Sequence, residues 1–368
     1  MISMPLKIHR IEFWPVNLPL TDPFVVATGT RSVAENVFVR VTLEDSSQGY
    51  GEAAPFPEVG GEDRASCVAA LQQFGEALVG RSVHGFTEHA AWMKTVGESQ
   101  PAARCALETA MLDAYCRSLG VSMWRFWGAA DVRKRETDIT IPICSIDKTL
   151  ELAAEWYARG FRLFKMKVGR DVIEDVRRLE AVHHAFPGIS FIGDGNQGFS
   201  RDECLFFAEA VKRFGGMLAL LEQPLDRNDL EGLAIIRRNT GVPVAADESV
   251  RSLSDLKAVI REAAADYVNI KIMKTGVIEA RAIAVFALEA GLKLMIGGMV
   301  ESRVAMACSF SMVLGMRGFD ILDLDTPLLL AEDPIAGGYR YDGATLHPWS
   351  TPGLGLTTEP VGSAMRIE

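Results

Sequence analysis

Two regimes of apolar spacing divide the chain. From residue 6 to 53 apolar and polar positions alternate: Ile8, Ile11, Phe13 and Val16 in one run, then Val37, Val39, Val41 and Leu43 in the next. A turn at 44–49 and a short return at 50–53 complete an antiparallel meander, because period two marks strands with one buried face. A loop over 21–31 separates the first two strands, and a second loop, 54–63, is rich in Pro, Gly and Glu. Loops of this length are commonly functional. Helical spacing follows near 64–79, 86–96 and 102–119, the last with Pro101 at its start and Gly120 at its stop. The first part reads as a small α+β domain.

From about residue 138 the pattern changes to short apolar strands, each followed by an amphipathic helix. The strands predicted are 138–144, 162–168, 190–194, 218–222, 242–247, 267–271, 293–297 and 319–324. Helical patterns lie between them at 149–159, 172–186, 201–214, 230–239, 253–263 and 278–290. This alternation points to an α/β fold, a (β/α)₈ barrel of modified TIM type whose eighth helix has no obvious pattern. After Pro334 a Gly/Pro-rich tail with short strand signals is expected to return to the first domain. The predicted division is a domain over 1–130, joined by the tail 335–368, and a barrel over 131–334.

Composition narrows the partners. The 368 residues are 48% hydrophobic and 23% charged, as expected of a globular protein with a large core. Net charge is -10 with no basic block, which argues against nucleic acid and anionic membrane as partners. The first ten residues lack a signal-like apolar core, and the most apolar stretch, 280–300, is interrupted by Arg281, Glu289 and Lys293. The six cysteines contain no CxxC and sit mostly among apolar neighbours, so a reduced, cytoplasmic protein is expected.

One stretch breaks the pattern. Lys165 and Lys167 interrupt the apolar run Leu163, Phe164, Met166, Val168 and fall on one face of the strand. An edge strand with solvated lysines is one reading. The other strand ends supply a second, since a barrel carries its active site at the C-terminal ends of its strands. Those ends read Lys165 and Lys167, Asp194, Glu222, Asp247, Lys271, then Asp323 with Asp325. A single such carboxylate is often only a helix cap. Three on consecutive strands repel one another, and a hard divalent cation removes the penalty; oxygen ligands suit Mg²⁺ better than zinc. Lys167 and Lys271 would then flank a substrate from opposite sides, the arrangement for a 1,1-proton transfer. A reference pKa of about 10.4 would be drawn toward roughly 7–8 by Lys165, Mg²⁺ and partial burial.

Lys165-Met166-Lys167, Asp194-Gly195-Asn196-Gln197, Glu222-Gln223-Pro224, Asp247-Glu248-Ser249 and Asn269 to Gly276 together resemble the enolase superfamily, in its muconate-lactonizing-enzyme subgroup. Lysine bases acting beside Mg²⁺ are a known arrangement in that superfamily. The resemblance implies one Mg²⁺ on Asp194, Glu222 and Asp247, with Asn196 beside them. It implies Lys167 and Lys271 as the acid/base pair, a first domain that caps the barrel, loops 21–31 and 54–63 that select the substrate, and allows a homo-oligomer.

Asp323-Leu324-Asp325 places two carboxylates on one face, where a cationic group is expected between them. One of them could instead cap the next helix. The pair resembles the Asp-x-Asp of dipeptide epimerases, which binds a free α-ammonium. Thr140 and Met299 match pocket-lining positions, and Glu301 a supporting one. Gly29 stands where the epimerases of L-Ala-D/L-Glu have an arginine, with Arg31 two residues on, and Glu58, Glu62 and Asp63 make the second loop acidic. A hydrophobic or cationic second residue is therefore expected rather than an acidic one, unless those acids are simply solvated. Val277 replaces a second glycine usual in relatives. Alternatives within the same site are o-succinylbenzoate synthesis, N-acylamino acid racemisation and cycloisomerisation; outside it, a barrel that binds a metal-ligand complex without turnover.

Overall fold

The computed structural model describes residues 6–57, 61–131, 133–357 and 364–368. Strands β1 (Ile8–Val26), β2 (Gly29–Leu43) and β3 (Gln48–Ala53) form an antiparallel sheet in that order. Helices α1 (Arg64–Leu78), α2 (Phe86–Val96) and α3 (Pro101–Ser118) pack beside it. Helix α3 is buried on nearly every face because it lies directly on β3. A Cβ at Gly49 would fall 2.1 Å from Ala114 N and one at Gly51 1.9 Å from Ala106 O, so both positions require glycine.

The segment 21–31 is not a loop. It extends β1 and β2 into a hairpin, with Phe24 paired to Arg31 and Val26 to Gly29 beyond a register shift after Pro19. The hairpin tip gains partners on the barrel: Ile143 N donates to Val25 O at 3.0 Å and Arg170 Nη2 to Gly29 O at 3.0 Å. Tertiary hydrogen bonds thus impose the extended form on a Pro- and Thr-containing stretch.

After a one-turn α4 (Met123–Phe126) and β4 (Arg135–Glu136), an eight-stranded parallel sheet follows strand by strand. Its strands are β5 (Ile139–Ile141), β6 (Leu163–Lys167), β7 (Ser190–Asp194), β8 (Leu218–Glu222), β9 (Val244–Ala246), β10 (Tyr267–Ile270), β11 (Lys293–Ile296) and β12 (Phe319–Leu322). The helices between are α5 (Ile146–Ala158), α6 (Val172–Ala185), α7 (Arg201–Arg213), α8 (Leu230–Thr240), α9 (Leu253–Arg261), the short α10 (Ile272–Thr275) with α11 (Val277–Glu289), and α12 (Arg303–Gly315). The eighth strand is followed only by the single turn α13 (Thr326–Leu329), which explains the missing eighth amphipathic pattern. The first and last strands meet through Asp138 N to Leu322 O at 2.9 Å and Leu324 N to Thr137 Oγ1 at 2.8 Å. Ile192, Leu220, Ala245, Tyr267 and Met295 plug the barrel floor.

In the tail, β13 (Tyr339–Asp342) pairs with β14 (Thr345–Pro348) and β14 with β4, and among the described residues only β15 (Met365–Ile367) joins the first sheet, against β1. Glu52 on β3 clasps the two units together, accepting from Ser302 N at 2.9 Å, Ser302 Oγ at 2.7 Å and Ala305 N at 3.2 Å at the start of α12. Asn36 bridges Glu52 Oε1 at 2.8 Å and Val300 O at 2.9 Å. One apolar core runs through sheet, helices and barrel. Among the described residues no helix is long and apolar enough to cross a membrane.

Candidate active site

Lys167, Asp194 and Glu222 stand in register on three adjacent strands, so one pleat face carries all three side chains toward the barrel axis. Each is buried, as are Lys165, Asp247, Lys271, Asp323 and Asp325. Isolated charges at such depth are costly, and here they neutralise one another. Lys165 Nζ lies 2.6 Å from Asp323 Oδ2, 2.9 Å from Glu222 Oε2 and 3.0 Å from Asp194 Oδ2. Lys167 Nζ donates to Asp194 Oδ2 at 2.6 Å and to Asn196 Oδ1 at 3.2 Å. Across the barrel Lys271 Nζ meets Asp247 Oδ2 at 2.7 Å. Strands β6 and β10 are four positions apart in the eight-stranded sheet, which sets Lys167 and Lys271 on opposite sides. The edge-strand reading of the two lysines is excluded by this burial.

The electrostatics follow from these pairs. Burial raises Asp194, but Lys165 and Lys167 outweigh it and draw the group down to about 2. Burial and the adjacent Asp194 push Glu222 up to about 7. Burial lowers Lys271, yet Asp247 more than reverses this and holds it above the ordinary lysine value. Lys165 is likewise held well above its ordinary value, burial opposing and Asp194, Asp323 and Glu222 prevailing. The fall expected at Lys271 from burial and Lys165 is thus reversed by Asp247, 2.7 Å away.

Asp194, Glu222 and Asp247 offer only carboxylate oxygens, all buried, and Asn269 Nδ2 orients Glu222 through Oε1 at 2.8 Å, turning Oε2 to the interior. That hard, anionic donor set fits Mg²⁺. Two residues that the strand-end reading passed over support it. Lys274 donates to Asp247 Oδ1 at 2.6 Å and Asp247 O at 2.7 Å, and Gln223 Oε1 accepts from Asp247 N at 2.9 Å and Ser249 N at 3.0 Å. A third, Glu248, is pushed up to about 8 by burial and by Asp247, and its Oε1 accepts from Asn196 Nδ2 at 3.3 Å. Their signal was present in the quoted motifs, where Gln223 and Glu248 directly follow strand-end acids and Lys274 lies three residues past Lys271.

At the seam of the barrel, Asp325 Oδ2 accepts from Thr140 N at 2.6 Å, and burial with the nearby Asp323 raises Asp325 to about 7. Neither aspartate caps α13 by a side-chain hydrogen bond. Among the described residues, one trio of acids brings an oxygen from each within 4.8 Å of the others, and it joins Asp323 and Asp325 with Asp138. Asp138 had been read only as a strand start.

The sheet of β1 to β3 covers the mouth. Phe24 of the hairpin lies with its ring centroid 5.5 Å from Lys167 Nζ. The tip sits on Gly169 and Gly198, where a Cβ at Gly198 would fall 2.4 Å from Gly169 O and 2.7 Å from Ala27 Cβ. Arg31 stacks 4.0 Å over Phe56. Of the acidic loop, Glu62 is buried and accepts from Ala102 N at 2.9 Å, Asp63 caps α1, and Glu58 lies outside the described residues. Met299 lines a cleft of about 630 Å³ with Phe56 and Met273, and Glu301 Oε1 accepts from Met299 N at 2.7 Å, fixing that wall.

Comparison with known proteins agrees with this geometry. Residues 9–128 match the mandelate racemase / muconate lactonizing enzyme N-terminal domain and residues 148–360 the enolase C-terminal domain-like family. An aromatic dipeptide epimerase of Herpetosiphon aurantiacus is 42% identical over 96% of this chain and 99% of its own. A substrate-liganded L-Ala-D/L-Glu epimerase of Bacillus subtilis superposes with TM-score 0.93 at 30% identity, over 96% of this chain and 100% of that one. A dipeptide epimerase of Enterococcus faecalis, complexed with Mg and L-Leu-L-Tyr, superposes with TM-score 0.90 at 27% identity, over 96% and 99%. The chain belongs to the mandelate racemase / muconate lactonizing enzyme family, whose barrel is the enolase C-terminal type.

Proposed function

We propose that this protein is a Mg²⁺-dependent dipeptide epimerase that inverts the α-carbon of the second residue of an L,L-dipeptide with a hydrophobic, best an aromatic, second side chain. The observation that carries the reading is the pair of buried lysines on opposite sides of one mouth, with three carboxylates beside them and the Asp323/Asp325 pair at the seam.

Asp194, Glu222 and Asp247 would hold the metal, which when bound supplies a positive centre that stabilises negative charge on a carboxylate substrate. The chain's own residues do the rest. Lys167 and Lys271 address the two faces of one carbon, one removing the α-proton and the other returning a proton from the far side. Lys271 Nζ, 2.7 Å from Asp247 Oδ2, and Lys167 Nζ each serve as acid or base according to the epimer bound. Lys165 stays cationic and meets the negative charge that develops as the proton leaves. Asp323 and Asp325 receive the free α-ammonium of the first residue. Phe24 shields Lys167, and Phe56, Met273 and Met299 form the apolar part of a cleft whose wall also carries Glu62, Arg104 and Asp255. Asp63 is committed to a helix start, whereas Glu62 engages Ala102 N through Oε1 alone and stands in the wall of the same cleft, the one acid of that loop among the described residues that favours a cationic side chain. The relatives named for aromatic and hydrophobic dipeptides favour a hydrophobic one.

Incubating L,L-dipeptides with Mg²⁺ in D₂O tests this. A gain of one mass unit with appearance of the L,D epimer is expected for L-Ala-L-Phe; the absence of exchange with every dipeptide offered overturns the reading.

A further inference from the structure

Asp138 is fully buried, and neither of its carboxylate oxygens has a hydrogen-bond partner among the described residues. A carboxylate left in that condition costs free energy that no packing returns, so its retention calls for an occupant. Its place in the fold says where that occupant sits. Thr140 is in register with Lys165, and Asp138 lies one pleat below it on the same interior-facing side, hydrogen-bonded through its backbone to the eighth strand. From there one oxygen comes within 4.8 Å of an oxygen on Asp323 and one on Asp325, and Asp325 Oδ1 is itself buried and unpartnered.

We propose that Asp138 is the third acceptor for the substrate's primary ammonium, completing a tripod with Asp323 and Asp325. This inference rests on the dipeptide reading and deepens it. An –NH₃⁺ group has three donors and no acceptor. Three oxygens at roughly 2.8–2.9 Å around a tetrahedral nitrogen stand about 4.6 Å apart, a spacing the three acids can supply. Two aspartates leave one N–H of a buried ammonium without a partner, and Asp138 provides it. A cation is the appropriate guest, since among the described residues only Asp323 of the three has an ion-pair partner, Lys165 at 2.6 Å, while Asp325 has the neutral Thr140 N and Asp138 has none. The tripod selects for a primary ammonium: an N-acyl group brings one donor and no charge, and an N-methyl group removes a donor and adds bulk at the floor.

The test compares two ligands that differ only in that ammonium. The Michaelis constant of L-Ala-L-Phe and the inhibition constant of propionyl-L-Phe are measured with Mg²⁺ for the wild type and for Asp138→Asn and Asp138→Ser. Neither constant depends on how much of a variant is folded. The expected result is a rise of roughly tenfold or more in the Michaelis constant with the inhibition constant changed less than about twofold. An unchanged Michaelis constant, or two constants that rise together as a structural role would require, overturns the inference and leaves the epimerase reading standing. A wild type that exchanges no dipeptide takes both down.

Discussion

Thr140 donates its backbone N–H to Asp325 Oδ2 at 2.6 Å, so the first strand of the barrel holds the carboxylate that follows the last. The proposed ammonium site and the closure of the barrel thus share one contact. Asp325→Ala is expected to cost about 1–3 kcal/mol of stability, as a buried donor loses its acceptor, and to lower kcat/KM for a dipeptide at least about 100-fold. Chemical denaturation and steady-state kinetics on the same preparation measure the two effects.

The opposed lysines separate exchange from inversion. Lys167→Ala and Lys271→Ala should each reduce epimerisation by roughly 1,000-fold or more, because one face loses its proton carrier. Each variant should still exchange the α-proton of one epimer in D₂O, and the two variants should differ in which. Exchange of both epimers by either variant would contradict the assignment. A binding barrel without chemistry predicts no change in either variant.

Metal removal should abolish turnover without unfolding the barrel. The lysines already neutralise Asp194, Glu222 and Asp247, with Lys271 and Lys274 both on Asp247 at 2.7 and 2.6 Å. Chelation is therefore expected to leave the circular dichroism unchanged. Mg²⁺ should restore activity and raise Tm in a concentration-dependent way, as any ligand of the native state does.

A pH dependence of stability is expected from Glu108 on α3. Burial pushes this acid up to about 7 from an ordinary 4.5, although Ile278 N donates to it. An acid raised in the folded state binds its proton more tightly there than in the unfolded chain, so stability falls as pH rises through the window from 4.5 to 7. The full effect is on the order of 3 kcal/mol. Glu108→Gln should lessen the slope in that window by this share while Glu222, Asp325 and Glu52 keep theirs, read by urea denaturation at intervals between pH 4.5 and 8.

How much of this was legible in the sequence depended on contrast. Lys165, Lys167, Asp194 and Glu222 stood out because each is a lone charge at the end of an apolar run, and strand order alone then brought them to one mouth. Asp138 carried the same charge but opened its strand, where an acid looks like the end of a loop, and only the barrel's shear sets it beneath Asp323. The hairpin at 21–31 was missed because its extended form is dictated by Ile143 and Arg170, more than a hundred residues away. The acids Glu62 and Asp63 suggested a cationic ligand, yet each gives an oxygen to a helix N-terminus, a local use that composition does not distinguish from a binding role.

The Glu52 clasp has a consequence for how the molecule comes apart. Three donors of α12 converge on one carboxylate of the covering sheet, β15 brings the far end of the chain back to that sheet, and a single apolar core runs beneath both. Cover and barrel therefore share one cooperative unit of unfolding, visible in calorimetry as a single transition. The cover is thereby fixed to the barrel by polar and apolar contacts together, and its hairpin tip, held by Ile143 N and the Arg170 guanidinium, is tied to the same unit.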